Sequence, residues 1–309
     1  MNKIAVLLAV YNGAKFLEEQ LKSLLTQTCQ DFKIYIHDDG SSDSSMYIVG
    51  NYQKKNPYKF IIIDDNKQFR SSSENFFHLL KIPREAYIAL CDQDDIWVSD
   101  KIEKMLRKIE EEEKRIGQNF PILAFSDLIV VDEKLNLISE SYANYQKRKG
   151  HNTKINQLLI ANVVTGCACM FNQALREKAV LCKNTENVVM HDWWLAIVAT
   201  LFGSLVYLNE GLVYYRQHSN NRIGARNKLS LRYIFQKFCC IKNALKSTRV
   251  QATEIMDTYG EILNPCVKKL IYEYSLLGNK SKIERLNFYY KYKIFKPSFI
   301  ENIGLFLVG

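Results

Sequence analysis

The chain has 309 residues, 47% of them apolar, which suits one large domain or a domain with an appendage. Residues 1–225 carry 27 basic and 27 acidic side chains, whereas 226–309 carry 15 and 6, so the whole formal charge of +9 lies in the last quarter. No apolar run reaches the length of a membrane span, and Met1-Asn2-Lys3 leads into a strand-like run without a signal-peptide cleavage site, so a spanning or secreted protein is not expected.

Apolar runs alternate with helix-period segments through the first half. Residues 3–10 read as a strand and 14–27 as a helix with Phe16, Leu17, Leu21, Leu24 and Leu25 on one face. A strand at 32–37, a helix from Ser44 to Tyr52, a strand at 60–63 and a short helix from Glu74 to Leu80 follow. Residues 86–91 form the next strand, and 99–116 a long charged helix. The second half predicts strands at Ile122–Val131 and Val163–Phe171, the latter interrupted by Gly166. It also predicts a helix from Met190 to Leu201 and short strands at Leu205–Tyr207 and Leu212–Tyr215. From Leu229 the pattern is helical, broken near Gly260, Pro265 and Gly278. Such alternation builds a mainly parallel sheet covered on both faces, with ligands at the C-terminal ends of its strands. The 8 cysteines include no Cys-x-x-Cys pair. Cys91, Cys167 and Cys169 read as buried thiols of a reducing cytosol, with no structural zinc.

Three of these strands end in polar lips: Tyr11-Asn12-Gly13, His37 to Asp43, and Asp92-Gln93-Asp94-Asp95. The third places three carboxylates after a buried strand, where they repel one another and lose hydration unless a cation lies between them. Hard oxygen ligands suit Mg²⁺ or Mn²⁺, which in turn hold phosphates; the alternative is capping of the next helix by Asp94, Asp95 and Asp100. Asp38-Asp39-Gly40-Ser41-Ser42-Asp43 offers backbone N–H groups and carboxylates to a base or ribose, or else a turn with Asp43 as helix cap. Asp192, between His191 and the pair Trp193-Trp194, is a candidate base flanked by rings that pack on sugars, or else a cap above a core helix. If the chain stays extended at Tyr215-Arg216-Gln217-His218, Arg216 and His218 face one way, the first toward a leaving diphosphate and the second toward a metal; surface polarity is the alternative.

Together these residues resemble a family 2 glycosyltransferase with the GT-A fold. The resemblance rests on Val10-Tyr11-Asn12, Asp38 to Asp43, Asn75 in Ser73-Glu74-Asn75-Phe76, and Asp92-Gln93-Asp94, and it covers residues 3–225. Asp92 to Trp97, His191 to Trp194 and Tyr215 to His218 further resemble the rhamnosyltransferase-like branch, which builds bacterial capsules, O-antigens and rhamnose-rich wall polysaccharides. The resemblance implies an α/β nucleotide-sugar-binding domain over 1–225 that inverts the anomeric centre, with dTDP-rhamnose as donor and Mn²⁺ or Mg²⁺ as cofactor. It implies donor contacts from Val10, Tyr11, Asn12, Asp38, Asp39, Ser41, Asn75, Asp92, Gln93 and Arg216, with Asp39 on the base. Asp94, Asp92 and His218 would hold the metal, and Asp192 would be the catalytic base. His191, Trp193, Trp194 and Gly166 would face the acceptor, His191 standing where the family carries the first of two acids. A UDP-hexose donor on the same fold, or a non-catalytic nucleotide- or sugar-binding subunit, are the competing functions.

Residues 226–309 interleave Lys and Arg with aromatics, as in Arg232-Tyr233-Ile234-Phe235-Gln236-Lys237-Phe238 and in Phe288 to Lys296. Basic helices of this kind lie on anionic membrane surfaces, where a polyprenyl-diphosphate-linked glycan acceptor is found. The expectation is a cytoplasmic protein peripheral to the inner face of the plasma membrane. Packing of the tail on the catalytic domain or a homodimer contact is the alternative, and no nucleic-acid motif is present.

Overall fold

A computed structural model describes residues 3–146, 153–218, 231–296 and 299–308. In chain order its elements are β1 (Ile4–Val10), α1 (Ala14–Leu25), β2 (Phe32–Asp38), α2 (Ser45–Lys55), β3 (Phe60–Ile63), α3 (Ser72–Leu79), β4 (Tyr87–Cys91), β5 (Ile96–Trp97) and α4 (Lys101–Ile116). The second half adds β6 (Ile122–Asp132), β7 (Leu137–Ser139), α5 (Tyr142–Tyr145), α6 (Ile155–Leu158), β8 (Cys169–Asn172), α7 (Gln173–Ala179), α8 (His191–Phe202) and β9 (Ser204–Gln217). Four tail helices close the chain: α9 (Leu231–Tyr259), α10 (Pro265–Ser275), α11 (Lys282–Lys291) and α12 (Phe299–Val308).

The strands form one mixed sheet of order β3-β2-β1-β4-β8-β6-β9-β5, with β7 paired to β6. β1 to β4 are mutually parallel, and β8 runs against both β4 and β6. The near-continuous apolar run of β1 follows from burial on both faces. Ile4, Val6, Leu8 and Val10 face one core with α1 (Leu17, Leu21, Leu24) and α4 (Ile102, Met105, Ile109). Ala5 and Leu7 face the other core with α3 (Phe76, Phe77, Leu79) and α8.

Residues 193–199 of α8 are buried without a break, so this helix has no polar face. The tail explains that composition. Leu245, Ala252, Ile255 and Tyr259 of α9 join the same core, and Tyr259 stacks on Trp194 at 5.7 Å between ring centroids. Glu254, also on α9, accepts the backbone N–H groups of Lys183 at 2.9 Å and Asn184 at 3.0 Å and the Asn187 amide at 3.1 Å.

Three expectations need correction. The strand expected over Val163–Phe171 pairs only from Cys169, because Gly166–Ala168 turn as a 3₁₀ helix. The two short strands expected at 205–215 are one strand, β9, whose register against β6 shifts on either side of Asp127. In the tail, Phe288, Tyr289 and Ile294 are buried in the core, so they are not available to a membrane surface, whereas Tyr290 is 79% exposed. The side chains of Arg232–Phe238, the loop at 219–226 and the expected boundary at 225/226 lie outside the described residues. Among the described residues no helix is long and apolar enough to cross a membrane.

Candidate active site

The parallel register brings the polar lips together: Val10 pairs with Asp38 and Leu8 with Cys91. Side chains then stitch them. Gln93 makes a two-way amide clasp on Tyr11, accepting its N–H and donating to its C=O, both at 2.8 Å. Asn12, in the left-handed region at φ 47°, donates its N–H to Ser41 Oγ and accepts from the Ser42 N–H through its side chain, both at 2.8 Å. A Cβ on Gly13 would collide with the Gln93 amide and displace it from this clasp. Tyr11 is left 54% exposed at this edge.

The two aspartates of the second lip divide their work. Asp38 accepts the Ser41 N–H at 2.9 Å and the Ser41 hydroxyl at 2.5 Å, shaping the turn. Asp39 is buried, and its carboxylate takes the N–H groups of Phe69 and, at 3.1 Å, Ser71. Its side chain thus fixes the loop that walls this end of the cleft. Asn75 stands behind, with its Oδ1 2.8 Å from His37 Nδ1.

At the third lip, Asp94 Oδ2 lies 2.9 Å from His218 Nε2, which brings two of the three predicted metal ligands into contact. The Asp92 carboxylate groups instead with Asp95 and the Cys167 thiol, all within 4.8 Å of one another. Burial, then the charges of Asp94 and Asp192, push the Asp92 carboxyl up to about 7. Burial and the same crowding raise Asp95 well above the carboxylate range. Asp95 is buried; its Oδ1 accepts the Arg216 N–H at 3.1 Å, and its buried Oδ2 has no hydrogen bond to the protein. Burial likewise raises the Cys167 thiol well above its usual range. Lys101 is buried beneath the cluster, its Nζ donating to the Cys167 C=O at 2.5 Å and lying 3.2 Å from the Trp97 ring centroid. Burial lowers it to about 8.

Arg216 is only 2% exposed and faces the same side as His218, both packing on the Phe16 ring. Its guanidinium donates to the C=O groups of Asp94 at 2.9 Å and Glu133 at 2.7 Å and pairs with Glu19. It therefore clamps the aspartate loop from below, a positioning task that the expected diphosphate contact did not include.

Asp192 opens α8 and is buried. It accepts from Trp193 N at 2.7 Å, Gly166 N at 3.0 Å and the Asn162 amide at 3.1 Å. Burial outweighs these donors, and the carboxyl rises to about 6. A Cβ on Gly166 would stand 3.0 Å from His191 Nε2, so a larger residue here would press on the His191 ring. His191 stacks on Phe76 at 4.2 Å. The Trp194 indole is fully buried and donates to the Ala179 C=O at 3.0 Å, which corrects its expected place at the acceptor. Trp193 is 8% exposed and donates to the Leu158 C=O at 2.6 Å, so it too serves mainly to pack. Cys167 and Lys101 were absent from the expected site and carried no signal for it, whereas Asp95 stood in the third lip without being assigned to the metal.

The model of "Glycosyl transferase family 2" matches residues 5–178, which span all three lips. The chain belongs to this family. Among its relatives is a dTDP-rhamnosyl transferase RfbG of Shigella flexneri, 26% identical over 263 residues, covering 82% of this chain and 85% of that protein. Among solved structures, S. aureus TarS 1-349 superposes with a TM-score of 0.61 at 16% identity, covering 91% of this chain and 73% of that one. The mannosyltransferase PcManGT of Pyrobaculum calidifontis, in complex with GDP-Man and Mn²⁺, gives 0.55 at 12% identity, covering 99% and 85%. These likenesses identify the GT-A fold, and this family 2 glycosyltransferase carries its polar lips on the edge where that sheet binds ligands.

Proposed function

We propose that the chain is an inverting, divalent-metal-dependent glycosyltransferase. It moves L-rhamnose from dTDP-rhamnose to a lipid-linked glycan in capsule, O-antigen or wall polysaccharide synthesis. The observation that carries the reading is the division of carboxylates: a crowded set at the third lip and a separate, buried Asp192 poised near 6. An inverting displacement needs a base on the acceptor side and charge neutralisation on the leaving side.

Asp192 takes the proton of the acceptor hydroxyl. The freed oxygen attacks the anomeric carbon from the face opposite the nucleotide, and the bond to the diphosphate breaks with its electrons leaving on phosphate. Asp192 accepts three N–H donors, which hold the carboxylate in one orientation through the proton transfer. The nucleotide lies along the lips, its base beside Tyr11 and against the wall fixed by Asp39.

The third lip fits a hard divalent cation, since it offers carboxylate oxygens, a buried Asp95 oxygen among them, and one imidazole. Mn²⁺ or Mg²⁺ held by Asp94, Asp92 and His218 would neutralise the leaving diphosphate. The rhamnosyl donor is supported by the Shigella flexneri relative. The Lys- and Arg-rich tail supports docking at the anionic inner face of the plasma membrane, where a polyprenyl-linked acceptor is presented. The test is a donor panel (dTDP-rhamnose, UDP-glucose, UDP-galactose) assayed by nucleotide release with a lipid-linked acceptor. Turnover confined to dTDP-rhamnose is expected. Turnover confined to a UDP-hexose would move the donor assignment, and no turnover with bound nucleotide would favour a binding subunit.

A further inference from the structure

Behind the base-binding lip lies a second group of metal-competent side chains with no part in the chemistry above. His37 is the penultimate residue of β2, Asp65 sits in the loop after β3, and His78 is on α3. Their ligand atoms all lie within 4.8 Å of one another. His37 Nε2 is 3.2 Å from Asp65 Oδ1, and His78 Nε2 is 2.7 Å from Asp65 Oδ2. The second approach is not aligned as a hydrogen bond, and His78 Nε2 is buried.

The proton inventory at His37 decides what this group is. The Asn75 amide donates its Nδ2 to the His37 C=O at 3.4 Å, so its Oδ1, 2.8 Å from His37 Nδ1, must be the acceptor. Neutral His37 therefore carries its proton on Nδ1, and its Nε2 lone pair points at a carboxylate oxygen. Two electron-rich atoms at 3.2 Å need a cation between them: a second proton on His37, or a metal. A single proton on His37 answers one of these contacts and leaves His78 Nε2 facing the other carboxylate oxygen at 2.7 Å, with the Phe69 ring 5.7 Å from one histidine ring and 5.2 Å from the other. A metal meets both nitrogens and the carboxylate at once. The bond from Nδ1–H to a carbonyl oxygen is also what orients a metal-ligating histidine. Lys67 reaches 3.5 Å from Asp65 Oδ2, but it is 57% exposed, and solvent screens so exposed a pair.

We propose that His37, His78 and Asp65 form a second metal site, for a borderline transition-metal cation such as Zn²⁺, separate from the diphosphate end. Two imidazoles and one carboxylate match zinc chemistry and not the hard-oxygen preference of Mg²⁺. The metal ties β2, the loop after β3 and α3 together. Asp39 grips the same loop through Phe69 and Ser71, so the site stiffens the wall of the base pocket. Its role is structural, and the reacting atoms are not touched.

The test is calorimetric titration of the full chain with Zn²⁺ after chelator dialysis, in an Asp94→Asn background that removes the diphosphate-end metal. One tight equivalent is expected there. Adding His78→Gln or Asp65→Asn is expected to weaken it by at least about tenfold. Co²⁺ in the same background is expected to give the visible absorption of a tetrahedral site, lost with His78→Gln. Zn²⁺ should raise the melting temperature of the wild type and leave that of His78→Gln unchanged. His78→Gln and Asp65→Asn are each checked for folding by metal-free melting, so lost binding is read only from a folded variant. No Zn²⁺ bound in the Asp94→Asn background, or equal binding with and without His78→Gln, overturns the proposal.

Discussion

Replacing Asp192 by Asn separates a catalytic carboxylate from a structural one, because the two roles move stability in opposite directions. Burial raises the Asp192 carboxyl from 3.8 to about 6. A raised carboxyl binds its proton more tightly in the fold, so its stabilising effect is complete below about pH 4 and is lost as pH rises through 6. The loss at pH 7 is about 3 kcal/mol. Asn removes that charge. Its amide also turns one of the two acceptor oxygens into a donor that faces the Gly166 N–H, or the Trp193 and Asn162 N–H groups, which costs about 1–3 kcal/mol. The balance is a protein as stable as the wild type or up to about 2 kcal/mol more stable, a rise of about 0–4 °C in melting temperature for a chain of this size. Sugar transfer is expected to fall by about 10²–10⁴, with the donor Kd within about twofold. The acid limb of the wild-type kcat/KM profile should bend at about pH 6. A variant that melts several degrees lower, loses donor affinity or keeps most of its activity would refute the base assignment.

Three further outcomes follow from the packing. Arg216→Met strands the C=O groups of Asp94 and Glu133, so it should cost about 2–4 kcal/mol in denaturant unfolding and weaken Mn²⁺ binding by calorimetry; Arg216→Lys should not restore either, since an ammonium lacks the fork that reaches two carbonyls at once. Burial pushes Glu254 up, but N–H donors from Asn184, Asn187 and Lys183 and the Thr258 hydroxyl outweigh it and hold the carboxyl below its usual 4.5. Its stabilisation is therefore present above pH 4.5 and lost as pH falls below; Glu254→Gln should cost about 2 kcal/mol at pH 7 and lessen the acid sensitivity of unfolding. The full chain should co-sediment with anionic liposomes at low salt and release at high salt, and binding indifferent to salt would remove the electrostatic part of the tail's role.

The first half of the sheet was legible because β1, β2 and β4 are buried runs with clear polar ends, and their parallel register puts those ends on one edge. Asp95 was legible as one of three acids crowded after a buried strand, with helix capping as the alternative, but its partner was not: β5, a strand of only two residues, pairs Ile96 with Tyr214 and so brings the Arg216 N–H to it. No local pattern announces a contact across 121 residues. β9 looked like two strands because Asn209, Glu210 and Gly211 interrupt its apolar pattern, while the irregular pairing with β6 carries the backbone through. Arg216 and the tail aromatics share one difficulty. Their composition suggested partners outside the chain, and it was packing by distant segments that placed Arg216 under the aspartate loop and Tyr289 in the core.

The three lips are proposed to act as one nucleotide site closed by a metal. Calorimetry with dTDP and UDP, each with and without Mn²⁺, on the wild type and Asp94→Asn measures this. Nucleotide binding that requires Mn²⁺ and is lost in Asp94→Asn is the expected result, with dTDP preferred. Binding that ignores the metal would contradict the role of Asp94, and no nucleotide binding under any condition would contradict the account as a whole.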